Sequence, residues 1–98
     1  MKYDICFSED ARLHLRQMSA RERQIVLAGI LRNLEDEPTK ESRNLKVLRP
    51  NPLAKFELRI GILRIFFEIN VEESEVTILA LGRKEGNRLF IGGKEVKL

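Results

Sequence analysis

Two arginines, Arg59 and Arg64, flank Gly61 and Ile62, a pair suited to a two-residue hairpin turn in which glycine supplies positive φ at the first central position. That turn sets a register: Ile60 opposes Leu63, Arg59 opposes Arg64, Leu58 opposes Ile65, Glu57 opposes Phe66, Phe56 opposes Phe67 and Lys55 opposes Glu68. Alternation then sends Phe56, Leu58, Ile60, Leu63, Ile65, Phe67 and Ile69 to a buried face, and Lys55, Glu57, Arg59, Arg64, Phe66 and Glu68 to an open one. Like charges directly across a strand pair repel, at a cost of up to about 1 kcal/mol, so a sequence that keeps both arginines suggests an anion bound between them. Guanidinium groups bind phosphate bidentately, which makes a phosphodiester a natural candidate, and Phe66 beside them offers a stacking surface for a base. The plainer alternative is that Glu57 neutralises the arginines and the C-terminal segment covers Phe66.

More basic charge surrounds this pair. Residues 44–64 hold Lys46, Arg49, Lys55, Arg59 and Arg64 against Glu57 alone, a footprint for a polyanion or else a solvated face of mixed charge. Residues 1–43 carry eight basic and eight acidic side chains, so the excess behind the net charge of +3 lies in the second half. Other chemistry is poorly supplied. One cysteine, Cys6, and one histidine, His14, cannot build a disulfide, a zinc cluster or a Ser/His/Asp triad, and no metal or cofactor is expected. His14 reads as a solvated helix residue, Cys6 as a small buried hydrophobe, and Gly92-Gly93 as simple flexibility outside any phosphate-loop setting.

The elements that must position these residues fit one domain, residues 1–98, because 98 residues with 43% hydrophobic content leave no room for a second core. No apolar stretch approaches a membrane span, and the start does not read as a signal peptide, so a soluble cytoplasmic protein without a membrane partner is expected. Tyr3, Ile5 and Phe7 alternate as a first strand. Ser8 caps a short helix bearing Ala11, Leu15 and Met18. Ser19 with Glu22 forms a capping box that restarts the helix in a new direction, with Leu27, Ile30, Leu31 and Leu34 as its buried stripe. Residues 35–43 read as a loop broken by Pro38, and residues 44–52 as an irregular anchored connection. The hairpin of residues 55–69 follows, then a doubly covered strand over 76–81, then a glycine-punctuated tail with an apolar island at 89–91. The sum is an α+β fold: an N-terminal strand and a helical hairpin packed on one face of a mainly antiparallel sheet.

Four segments carry a family likeness: Leu-Lys-Val-Leu at 45–48, Phe-Glu-Leu-Arg-Ile-Gly at 56–61, Leu-Arg-Ile-Phe-Phe-Glu-Ile at 63–69 and Ile-Leu-Ala-Leu-Gly-Arg-Lys at 78–84. In this order they resemble the RelE/ParE superfamily of bacterial type II toxins. The resemblance implies the same fold and a cognate antitoxin that masks the toxin. It also implies one of two activities: ribosome-dependent cleavage of mRNA, as in RelE-like members, or inhibition of DNA gyrase, as in ParE-like ones. A toxin fold kept only as a binding module is the third reading. By matched motif position the resemblance makes Lys55, Arg59, Arg64 and Lys84 the RNA-contacting and catalytic candidates, with Arg59, Arg64 and Lys84 as the catalytic ones; Lys46, Arg49, Phe66, Arg83, Arg88 and Phe90 join Lys55 as candidate RNA contacts. Two positions depart from the RelE pattern: Glu57 stands where it has a lysine, and Phe90 where it has a late tyrosine.

Overall fold

A computed structural model describes residues 2–98. The elements run β1 (Asp4–Phe7), α1 (Glu9–Gln17), α2 (Ala20–Leu34), β2 (Leu45–Val47), β3 (Phe56–Ile60), β4 (Leu63–Asn70), β5 (Glu75–Glu85), β6 (Arg88–Ile91) and β7 (Lys94–Val96). All seven strands join one sheet in the order β2-β3-β4-β5-β6-β7, and β1 pairs in parallel with the first half of β5, on the flank that β6 takes further along.

Both helix starts are set by serine. Ser8 Oγ accepts the Ala11 N–H at 3.1 Å, and Glu9 and Asp10 occupy the first turn, where carboxylates favour the positive end of the helix dipole. Ser19 and Glu22 complete the expected capping box, each side chain accepting the other's backbone N–H. The helices cover one sheet face. Ala11, Met18, Val26, Ile30 and Leu34 meet Leu58, Leu63, Ile65, Phe67, Val76, Ile78 and Leu81 in the main core, where Phe56 stacks on Phe67 at 5.4 Å. The stripe of α2 differs from expectation: Leu27 and Leu31 are 40% and 53% exposed, and Val26 takes the inner place. Residues 26, 30 and 34 lie on one line of the helix and, with Gly29 beside them, form its buried side. Cys6 points outward rather than into the core.

The β3–β4 hairpin has the register read from its turn, with five of the six expected pairs formed and Gly61 at φ +58°; the sixth, Lys55 with Glu68, lies just outside β3. Three strands lie where none is expected. β2 pairs with β3 inside the stretch read as irregular, and the tail folds into β6 and β7. Gly92 and Gly93 both take positive φ, +61° and +80°, between the paired residues Ile91 and Lys94. They form a tight turn rather than a loose spacer.

The register of β4 against β5 slips once, pairing Phe66 with Ala80 and Phe67 with Ile78, so Leu79 is a bulge. Ser8 Oγ donates to its carbonyl at 3.1 Å. The bulge changes the parity of everything after it. Val76 and Ile78 face the helices, but so do the odd residues Leu81 and Arg83, which leaves Gly82 and Lys84 on the opposite face with Arg64.

Candidate nucleic-acid interface

On the face away from the helices, the pairing rows place Lys46, Glu57, Phe66 and Ala80 in one line and Arg59, Arg64, Gly82 and Ile91 in the next. Arg59 and Arg64 stand directly opposite, as the turn demands. Gly82 completes their row without a side chain, because a Cβ there would strike the Phe90 carbonyl oxygen and the Ile91 side chain.

The two guanidinium groups have different partners. Arg59 Nε donates to Glu57 Oε1 at 2.6 Å; its side chain stays 47% exposed while that of Glu57 is only 7% exposed. Arg64 Nη1 donates to the carbonyls of Gly61 at 2.7 Å and Leu63 at 3.0 Å, folding back onto the turn. Burial lowers the Arg64 pKa, the charge of Glu57 opposes that shift and the charge of Arg59 adds to it. The mutual repulsion expected from the sequence is thus eased from within the chain, by a buried carboxylate bonded to Arg59 and attracting Arg64, and by the turn's own carbonyls.

Beside Arg59 and Glu57 opens a cleft of about 450 Å³, lined also by Leu48 and Arg49, by Lys84, Asn87 and Leu89, and by residues 95–98. Arg49, Arg59, Lys84 and Lys97 supply four positive charges around it. Lys97 is a member the sequence reading missed, since nothing in its neighbourhood signals that the tail returns to this face. Lys46 lies across the strand from Glu57 and adds to the basic surroundings.

Other candidates are placed elsewhere. Phe66 is fully buried, packed with Ala54, Ala80 and Leu89 under Leu48, Leu53, Ile91 and Val96, so it is not a stacking surface. The unforeseen strands β6 and β7, with the 48–54 connection, make a second core over it. Lys55 is exposed at the other end of β3, where its N–H donates to Glu68 Oε2 at 2.7 Å beside a separate hollow. Arg83 pairs across β5 and β6 with Phe90 on the helix side, and is tied to Glu22 of α2 at 2.7 Å. Arg88 holds Glu95 through Nε at 3.2 Å and Nη2 at 2.9 Å and lies 5.2 Å over the Phe90 ring. Arg83, Arg88 and Phe90 are therefore on the opposite side of the sheet from Arg59, Arg64 and Lys84. His14 is half-buried there, not freely solvated, and its Nδ1 accepts the Leu81 N–H at 3.2 Å.

No family model and no curated protein matches the chain. Solved structures do. A chain of the RelBE2 toxin–antitoxin complex from Mycobacterium tuberculosis aligns over 86% of this chain and 93% of its own length, at a TM-score of 0.74 and 27% identity. The isolated RelE toxin of E. coli aligns over 85% of each chain at a TM-score of 0.66 and 20% identity. A chain of the archaeal RelE–RelB complex from Pyrococcus horikoshii covers 88% of this chain, with 98% of its own length aligned, at 0.64 and 18%. The chain carries the fold of the RelE toxin superfamily, as the four sequence segments suggested. Among the described residues no helix is long and apolar enough to cross a membrane.

Proposed function

We propose that the chain is the toxin of a type II toxin–antitoxin pair, that it acts on mRNA in the ribosome, and that its basic cleft takes up the phosphodiester to be cut. The observation that carries this reading is the convergence of Arg49, Arg59 and Lys84 on one open cleft, with Arg64 directly across the strand from Arg59. Cations so arranged neutralise the phosphate and stabilise the charge that develops on its oxygens during attack. Restriction to RNA follows from use of the 2′-hydroxyl as the nucleophile. Arg83, Arg88 and Phe90, on the far side, have no part in this chemistry, and Lys55 is a peripheral contact at most. The solved toxin–antitoxin complexes with the same fold support a cognate antitoxin as the partner.

The test is expression of the wild type beside Arg59→Ala and Arg64→Ala, with messenger integrity read by primer extension. Growth arrest with cuts inside messages, lost in both variants, is the expected result; arrest with intact messages overturns it. A gyrase-directed toxin is the second reading, favoured by the absence, among the described residues, of any imidazole or phenol from the cleft. Cleavage or supercoiling changes with purified gyrase would establish it.

A further inference from the structure

At Arg59 the basic cleft has a neighbour. A second hollow, of about 550 Å³, opens where α2, the residue before β2 and the β3–β4 turn meet, and Arg59 lines both. Its size is within the range of small-ligand sites, roughly 300–1,000 Å³. The surroundings are fixed by packing and by one backbone bond. Gly29 lets α2 settle directly on Ile60, since a Cβ there would strike the Ile60 side chain, and the Asn44 carbonyl accepts the Arg59 N–H at 2.8 Å. Arg32 and Arg59 line the hollow, and no carboxylate does among the described residues. Gln24, Arg32 and Asn44 are exposed there, and their side chains make no hydrogen bond or ion pair among the described residues. Asn33 Nδ2 donates to the Gly29 carbonyl at 2.8 Å, which leaves its Oδ1 as a further acceptor.

We propose that this hollow seats an unpaired messenger nucleotide next to the one that is cut, with Arg32 against its phosphate and the Asn44 and Gln24 amides against its base. The proposal rests on the mRNA-cleavage reading, because continuity through Arg59 makes one RNA strand the ligand of both hollows. A guanidinium with no carboxylate beside it suits a phosphate, which a carboxylate would repel. A primary amide both donates and accepts, so two of them can pair with the edge of a base that has no Watson–Crick partner, and single-stranded RNA is read in that way. Ile25 and Ile60 add an apolar surface for the base. The consequence is a preference for certain bases beside the scissile bond, set by α2 and Asn44 and not by the cations of the cleft. Ribosomal RNA offers the same phosphates and bases, so the experiment has an arm for each source.

The experiment compares wild type, Arg32→Ala, Asn44→Ala and Gln24→Ala in single-turnover cleavage on purified ribosomes with a vacant decoding site, using messengers that differ only in the bases flanking the scissile bond. Binding to ribosomes that carry no messenger is measured beside it. The altered residues are exposed, so the variants should fold and melt close to wild type. Wild type is expected to prefer one base at one flanking position, and Asn44→Ala and Gln24→Ala to reduce that preference by about three- to tenfold, the worth of a neutral hydrogen bond or two. Arg32→Ala is expected to raise the half-saturating toxin concentration alike for every messenger and to lower its salt slope by about 0.7, the change for one phosphate contact on a single strand. Messenger-free binding should be the same in all four proteins. An equal weakening on messenger-free ribosomes would assign Arg32 to ribosomal RNA and overturn the inference. A wild type indifferent to the flanking bases, or variants that match it in base preference and salt slope, would also overturn it while the nuclease reading stands. Wild type that cuts no messenger removes both readings together.

Discussion

Glu57 and Arg59 form an ion pair at 2.6 Å in which the carboxylate is buried and the guanidinium is half in solvent. The asymmetry means that the two ends of the pair have different dependence on each other. Removing the arginine strands a desolvated charge, whereas removing the carboxylate only frees an exposed cation.

Arg59→Ala should therefore destabilise the fold by about 1–3 kcal/mol in urea unfolding, and Glu57→Gln in that background should recover part of the loss. Simple additivity of the two substitutions would show that the pair is not coupled. Loss of toxicity in Arg59→Ala has to be read alongside this measurement.

Phe66→Ala should cost about 3–5 kcal/mol, the range for emptying a core aromatic site, because the ring is fully enclosed by the second core. Phe66→Leu should retain most of the stability and the RNA binding of the wild type. A selective loss of RNA affinity in Phe66→Leu, with unfolding unchanged, would contradict the burial.

Phe90→Tyr restores the hydroxyl of the RelE pattern, yet it should leave cleavage unchanged, since Phe90 stands with Arg83 and Arg88 on the helix side. A gain in single-turnover rate would show that this side reaches the substrate.

Gly82→Ala should be the most damaging glycine substitution. The new methyl meets backbone at Phe90, which cannot swing away as a side chain can, whereas at Gly61 there is open space and only the φ of +58° resists a side chain. Thermal melts should place Gly82→Ala well below Gly61→Ala, for which about 1 kcal/mol is expected.

His14 gives the fold a pH dependence. Burial lowers its pKa from 6.5, with Asp10 opposing, and Nδ1 must stay bare to accept the Leu81 N–H. The unfolded chain then binds the proton more readily than the folded one, so stability is full above 6.5 and falls as pH drops through the folded value. Melting temperatures of wild type against His14→Gln should converge toward acid pH, before the carboxylates titrate.

Much of the site was legible because a two-residue turn fixes register outright: with Gly61-Ile62 identified, Arg59 opposite Arg64 and the seven core positions of the hairpin follow from a period of two. The helix starts were equally plain, since Ser8 and Ser19 act within their own first turns. What failed was non-local. The bulge at Leu79 leaves no mark in a run of apolar residues, and without it the assignment of Arg83 and Lys84 to opposite faces is invisible. Phe66 looked open because the strands that cover it are only three or four residues long and owe their pairing to turns and neighbours rather than to their own pattern.

β5 carries β1 on the first half of one flank and β6 on the second, with β4 along the other. As the chain leaves the ribosome, β1 must wait for a mate some 71 positions downstream, the span that also separates Ser8 from Leu79. Nascent α2 can meet β3 and β4 first, but β1 has no strand to pair with until β5 emerges, and the basic cleft, which takes part of its lining from beyond β5, assembles last. A cleft built in this sequence stays incomplete through most of the chain's own synthesis.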